Sequence, residues 1–178
     1  MFSKRTMNEL NRLTPEEFKA STKSPIVLVL DNIRSQNNVG SIFRTADAFR
    51  LSGIFLCGIT ATPPHREINK TALGATESVQ WSYHTTAAEA IHGLKAEGYT
   101  IIAVEQTHNS TLLSDFYPVR GLKAALVFGN EVNGIGDDAL TLADHCIEIP
   151  QFGTKHSLNI AVTVGIVIWD FSKKIEFF

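Results

Sequence analysis

Cysteine is scarce in this chain. There are two in 178 residues, Cys57 and Cys146, each inside an apolar, strand-like stretch. That excludes a disulfide-stapled scaffold and suits two buried free thiols in a reducing cytoplasm. Paired metal ligands are missing as well. The six histidines (65, 84, 92, 108, 145, 156) show no ligand spacing, so no metal site is expected. No apolar run approaches the ~20 residues that cross a bilayer. The longest, Ile160–Trp169, is interrupted by Thr163 and Gly165, and the polar stretch from Met1 to Lys23 has no apolar segment of signal-peptide type. Internal repeats and low-complexity segments are absent, and a formal net charge of -2 argues against a wholly basic nucleic-acid binder.

The rest of the composition is that of one globular domain: 44% hydrophobic and 19% charged residues over a length that can bury its own core. The charge is unevenly laid out. Residues 1–70 carry a balance of +4 and residues 71–178 a balance of -6. An anionic partner is therefore expected against the first part of the chain.

Thr14-Pro15-Glu16-Glu17 has the form of a capping box with proline at the first helical position, which predicts a helical extension over residues 3–21. Ser24-Pro25 then ends it, dividing the chain into an N-terminal extension (1–25) and a main domain (26–178). Apolar runs at Ile26–Leu30, Ile54–Cys57, Val79–Tyr83, Thr100–Val104, Ala124–Phe128 and Cys146–Ile149 predict six strands buried on both faces. Between them the pattern predicts helices near residues 39–49, 67–73, 86–97 and 137–143, with a last helix over 158–173. Strands alternating with helices indicate an α/β fold, a mostly parallel sheet flanked by helices on both faces. Ligands in such sheets bind beyond the carboxyl ends of the strands.

Three loops at those ends carry unusual chemistry. The first runs from Asp31 to Ala46. Asn38, Ser41 and Arg44 recur every third residue near a helix start, where free amides and an arginine suit a phosphate, and Gly40 admits a close neighbour, backbone or ligand. The plainer alternative is an asparagine cap and a surface charge. The second, Phe128 to Gly136, contains Gly129, Glu131 and Gly134 but has neither a P-loop ending nor a dinucleotide fingerprint. On spacing alone it is a tight turn, with Glu131 capping the next helix. The third runs from Ile149 to Asn159. Ser157 is the expected N-cap of the last helix, which would place Asn159 in its first turn at some cost. That helix is apolar nearly all round, so it is expected to be buried on more than one side, by the sheet and by a second copy of the chain.

Together the three loops resemble the SpoU (TrmH-like) branch of the SPOUT RNA methyltransferases. Asn38 to Ala46 is similar to the family's N-x-G-x-I-x-R-T-A. Gly129 to Ile135 is similar to its G-N/x-E-x-x-G-[IL], and Ile149 to Ile166 to its I-P-Q/M-x-G-x-x-x-S-L-N-V-A-V-x-x-G-I. Ile160 in place of the usual valine and the Thr163-Val164 pair are the departures, and neither falls on a polar motif position.

The resemblance implies a homodimer with a deep C-terminal trefoil knot, although knots are rare in proteins. It implies S-adenosylmethionine bound by the knot loops and methyl transfer to a ribose 2′-hydroxyl of RNA. By the same resemblance, Val104, Glu105, Gly129, Ile149 and Leu158 contact the cofactor. Arg44 lies nearest the ribose, with Asn38, Glu131, Ser157 and Asn159 completing the polar set. Asn38 and Ser157 would hold Arg44 or a phosphate, while Glu131 and Asn159 would brace the loops. Arg34, Arg66, Lys70 and Lys155 are candidate RNA contacts, with Lys4, Arg5 and Arg12 of the extension. Phe152 would stack on a base or pack inside the knot. A tRNA substrate is favoured over rRNA. A non-catalytic RNA-binding protein on the same fold remains the rival, and titration with S-adenosylmethionine separates the two.

Overall fold

The structure is a computed structural model that describes residues 2–6 and 8–177. A single turn of 3-10 helix (Asn8–Leu10) precedes α1 (Pro15–Ala20). The long helix expected over 3–21 is therefore broken, with Asn11 in left-handed backbone between the two pieces. Residue 7 of that stretch lies outside the described residues. The capping box forms as the sequence predicts: Glu17 N–H donates to Thr14 Oγ1, and the Thr14 N–H donates to the Glu17 carboxylate. Phe18 of α1 is buried in the main core.

The remaining elements are β1 (Ser24–Asp31), α2 (Gln36–Ala48), β2 (Leu51–Cys57), α3 (Arg66–Ala72), α4 (Ala75–Ser78), β3 (Trp81–His84), α5 (Ala87–Ala96), β4 (Thr100–Val104), β5 (Thr111–Leu112), β6 (Ala124–Phe128), α6 (Asp137–Leu140), β7 (His145–Glu148) and α7 (Ile160–Lys174). All seven strands pair in parallel, in the order β3-β2-β1-β6-β4-β7-β5. The two-residue edge strand β5 and the single turn α4 are additions to the expected elements. Pro25 does not end a segment but sits inside β1, where the register to β2 is irregular and no ladder bond is needed from it.

The uninterrupted apolar runs have the cause expected of a sheet covered on both faces. Ile26, Leu28 and Leu30 of β1 enter one core with residues of α1, α2, α3, α4 and α7. Val27 and Val29 enter a second core with residues of α5 and Ala139 of α6. On α2, Val39, Ile42, Phe43 and Ala46 form the buried stripe.

α7 departs from expectation at its start. Its N-cap is Asn159, whose side chain accepts from Ala161 N–H at 2.8 Å, so Ser157 stands outside the helix. The Asn159 amide also donates to Asn38 Oδ1 at 3.2 Å, a second bond that Ser157 could not make from its own position. Within the single chain α7 is buried on one side, and the other is the face the expected second copy would cover. Ile160, Val164, Val167, Ile168 and Phe171 face the core, while Val162 and Ile166 are exposed.

The chain route places the site. β7 lies on the far side of β4 and β6 from β1. Yet α7 packs on α2, the helix that follows β1. Residues 149–159 must therefore pass across the carboxyl ends of β4 and β6, over the loops that leave those strands.

Candidate functional site

Beneath that crossing segment is a cavity of about 500 Å³. Val104, Glu105 and Gln106 line it from the end of β4, Phe128 to Val132 and Gly134 from the end of β6, and Glu148, Ile149 and residues 156–160 from the third loop. All five residues expected at the cofactor, Val104, Glu105, Gly129, Ile149 and Leu158, are on its wall. Glu131, Ser157 and Asn159 line it too, whereas Asn38 and Arg44 do not.

The loop after β6 is shaped by contact with itself. A Cβ on Gly129 would stand 2.1 Å from the Gly134 carbonyl carbon and from the Ile135 nitrogen, so any other residue there displaces backbone. The close approach expected of this glycine is thus to its own chain. Asn130 and Gly134 exchange two backbone hydrogen bonds of 2.9 Å. The Asn130 side chain donates to Asn32 O at 2.7 Å and accepts from Val132 and Asn133 N–H. Gly134 is at φ 71°, left-handed backbone that glycine adopts without strain. The Glu105 carboxylate accepts from Ile135 N–H at 3.1 Å and from Gln106 N–H at 2.9 Å, tying the end of β4 to the same turn. Asp31, buried at the end of β1, accepts from Gly136 N–H at 2.8 Å and from the Asn32 amide. Burial pushes the Asp31 carboxyl up, Asp138 adds to this, and the Gly136 N–H works against both.

Glu131 corrects two expectations. It does not cap the following helix. Its carboxylate accepts from Arg34 N–H at 3.0 Å, Ser35 N–H at 3.2 Å and the Asn38 amide at 3.3 Å. The α2 entrance expected to receive a phosphate is therefore occupied by a carboxylate of the protein. Partial burial pushes the Glu131 carboxyl up, but these N–H donors outweigh it and hold the group below the ordinary glutamate range.

Asn38 joins the braces. Its amide donates to Glu131 and its carbonyl oxygen accepts from Asn159, so both ends of the side chain serve the braces. Ser35, not Asn38, caps α2, and α2 begins ahead of the expected start. Gly40 serves helix packing: an added Cβ would lie 2.1 Å from Thr71 Oγ1 and 2.3 Å from Ile68 O, both on α3. Arg44 is exposed on α2 and, among the described residues, makes no hydrogen bond or ion pair, so Asn38 and Ser157 do not hold it.

The structure thus brings together Asn38, Glu131 and Asn159. The sequence reading missed two contributors and one role. Asn130 organises the second loop. Gln106 donates its amide to His156 O at 3.1 Å, linking the β4 end to the crossing segment. Glu105 acts through its side chain as well as its backbone. Asparagine and glutamine that follow apolar strands were the available signal, shared with many ordinary turns.

The candidate RNA contacts are all on the surface. Arg34 and Lys155 are exposed, as are Lys4, Arg5 and Arg12. Arg66 and Lys70 flank Glu67 at 3.8 and 3.9 Å in open pairs of small energetic weight. Phe152 is 95% exposed, which removes the alternative of packing inside the fold. Cys57 is buried and its thiol is pushed up to about 12, by burial first and then by Asp31 and Glu89. Cys146 is only half-buried, contrary to expectation, and burial raises it too. Among the described residues no group of three or more His, Cys, Asp or Glu could hold a metal ion, and no helix is long and apolar enough to cross a membrane.

Residues 25–169 match the family model described as the SpoU rRNA Methylase family. The chain is 31% identical over 147 residues to a 23S rRNA (guanosine-2'-O-)-methyltransferase of Neisseria meningitidis, covering 83% of this chain and 58% of that protein. It is 29% identical over 167 residues to a tRNA (guanosine(18)-2'-O)-methyltransferase of Thermus thermophilus, covering 93% of this chain and 84% of that one. A crystal structure of an AdoMet-bound rRNA methyltransferase from Sinorhizobium meliloti superposes with a TM-score of 0.79 at 27% identity, over 91% of this chain and 61% of that chain.

Proposed function

The chain belongs to the SpoU rRNA Methylase family, and on that premise we propose that it is an S-adenosylmethionine-dependent methyltransferase acting on a ribose 2′-hydroxyl of RNA. The observation that carries this reading is the cavity beyond the carboxyl ends of the strands, walled by the second and third motif loops and the end of β4, with the first motif loop tied to it through Asn38. Its size suits a ligand of this class. Its wall is apolar at Val104, Ile149 and Leu158 and has no lysine or arginine among the described residues, which fits a ligand that is cationic at sulfur.

S-adenosylmethionine, when bound, supplies an already activated methyl group. Val104, Glu105, Gly129, Ile149 and Leu158 would hold it, chiefly through backbone groups. Asn38, Glu131 and Asn159 keep the α2 entrance fixed against the second and third loops. Arg44 orients the ribose hydroxyl and stabilises its oxygen as negative charge grows. A guanidinium stays protonated, so the hydroxyl proton leaves to a substrate phosphate or to water. Ser157, at the cavity wall and free of intramolecular hydrogen bonds among the described residues, is the side chain available to the RNA.

A tRNA substrate is favoured over rRNA, supported by the alignment of the Thermus tRNA enzyme over 93% of this chain. The RNA lies across residues 1–70, where Arg34, Arg66 and Lys70 are exposed, with Lys155 beside the cavity. A second copy covers Val162 and Ile166 of α7. The crossing of residues 149–159 and the return of α7 to α2 support a knotted C-terminal segment. The described residues ahead of β1 form an extension anchored on the main domain by Phe18. Free thiols at Cys57 and Cys146 suit a cytoplasmic setting.

The test is transfer of radiolabelled methyl from S-adenosylmethionine to tRNA and to rRNA, followed by mapping of the modified nucleoside. Arg44→Ala should abolish transfer while cofactor binding stays nearly intact; equal loss of both would remove Arg44 from its place at the ribose. Neutralising Arg34, Arg66 and Lys70 together should flatten the salt dependence of RNA binding.

A further inference from the structure

Three glutamates line the cavity, Glu105, Glu131 and Glu148, and no lysine or arginine among the described residues balances them. Two of the three are committed. Glu105 holds Ile135 and Gln106 N–H, and Glu131 holds the α2 entrance. Glu148 is different. It is half-buried at the last position of β7, lines the cavity, and makes no hydrogen bond or ion pair through its side chain among the described residues. A carboxylate without a partner on the wall of a cavity favours whatever positive charge enters.

Methyl transfer changes the charge of the ligand. The carbon–sulfur bond breaks as the carbon–oxygen bond forms, its electron pair stays on sulfur, and the hydroxyl proton leaves to a phosphate or water. A cationic sulfonium becomes a neutral thioether, while the amino-acid and nucleoside parts are unchanged. We infer that Glu148 is a specificity-determining residue that makes this cavity prefer the cationic methyl donor to the neutral thioether product, and so favours product release. This rests on the reading that the cavity holds S-adenosylmethionine.

The experiment is calorimetric titration of the full chain and of Glu148→Gln with three ligands. These are S-adenosylmethionine, S-adenosylhomocysteine, and the analogue carrying a protonated amine in place of the sulfonium. Glu148→Gln should weaken both cations about five-fold and the neutral thioether less than two-fold, as expected for the loss of one charge at this range in a partly shielded site. Retained thioether binding also reports an intact fold. Equal weakening of all three ligands, or no weakening of the cations, overturns the inference. Failure of the unmodified chain to bind S-adenosylmethionine overturns instead the reading of the cavity.

Discussion

In residues 129–136 the polar groups are turned on the chain itself. Asn130 is bonded at both ends of its amide, Gly134 returns two backbone bonds, and Glu105 and Asp31 hold the N–H groups of Ile135 and Gly136. In residues 149–159, on the opposite wall of the same cavity, the bonds are few. The Gln106 amide reaches His156 O, and Asn159 caps α7 and touches Asn38, while residues 152–159 are exposed. Residues 129–136 are a fixed platform, and residues 149–159, held by fewer bonds, are free to adjust to a ligand. The proposed methyl transfer, with a cofactor to bind, an RNA to meet and a product to release, would gain from one wall of each kind.

The most severe way to break this contrast is Gly129→Ala. Its Cβ meets backbone and not a mobile side chain, so we expect a loss of about 3 kcal/mol or more, read by urea unfolding, with cofactor binding lost alongside. Glu131→Gln should cost about 1 kcal/mol, discounted because the group is partly exposed. The sign of its pH dependence follows from its lowered pKa. The stabilisation is present above the ordinary glutamate value and disappears as pH falls through the lower folded-state value. The stability gap between the parent and the variant should therefore close on going from about pH 7 to about pH 3; a gap that persists in acid would show that the carboxylate is not its source.

On the open wall the effects shrink. Asn159→Ala removes an N-cap and should cost about 1 kcal/mol, while Asn159→Asp should restore most of this by keeping the capping oxygen. Phe152→Ala should shift stability by less than about 0.5 kcal/mol, because 95% of the side chain is already in solvent. A larger shift for Phe152→Ala would mean that the second wall is packed after all.

The sheet was legible because double burial leaves a plain mark. Ile26 to Leu30 must be apolar at every position when alternate side chains enter two different cores. β5 was not legible, since two exposed residues at a sheet edge carry no pattern. The cavity residues were legible for a topological reason: parallel strands deliver their loops to the same end, so motifs far apart in sequence converge. The brace was not. Asn38 looked like a ligand-facing residue because nothing local reveals that Glu131, 93 residues away, occupies its amide. Ser157 and Asn159 are both good caps by type, and the choice between them is settled by Asn38, a partner on another helix.

The Asn38–Asn159 bond also bears on how the protein is made. Its partners are separated by 121 residues. During synthesis α2 is complete long before the crossing segment leaves the ribosome, and chains form their earlier parts first. Until Glu131 follows, the Arg34 and Ser35 N–H groups at the entrance of α2 await their acceptor. The cavity is complete only once Asn159 lies on Asn38 and the second wall stands against the first.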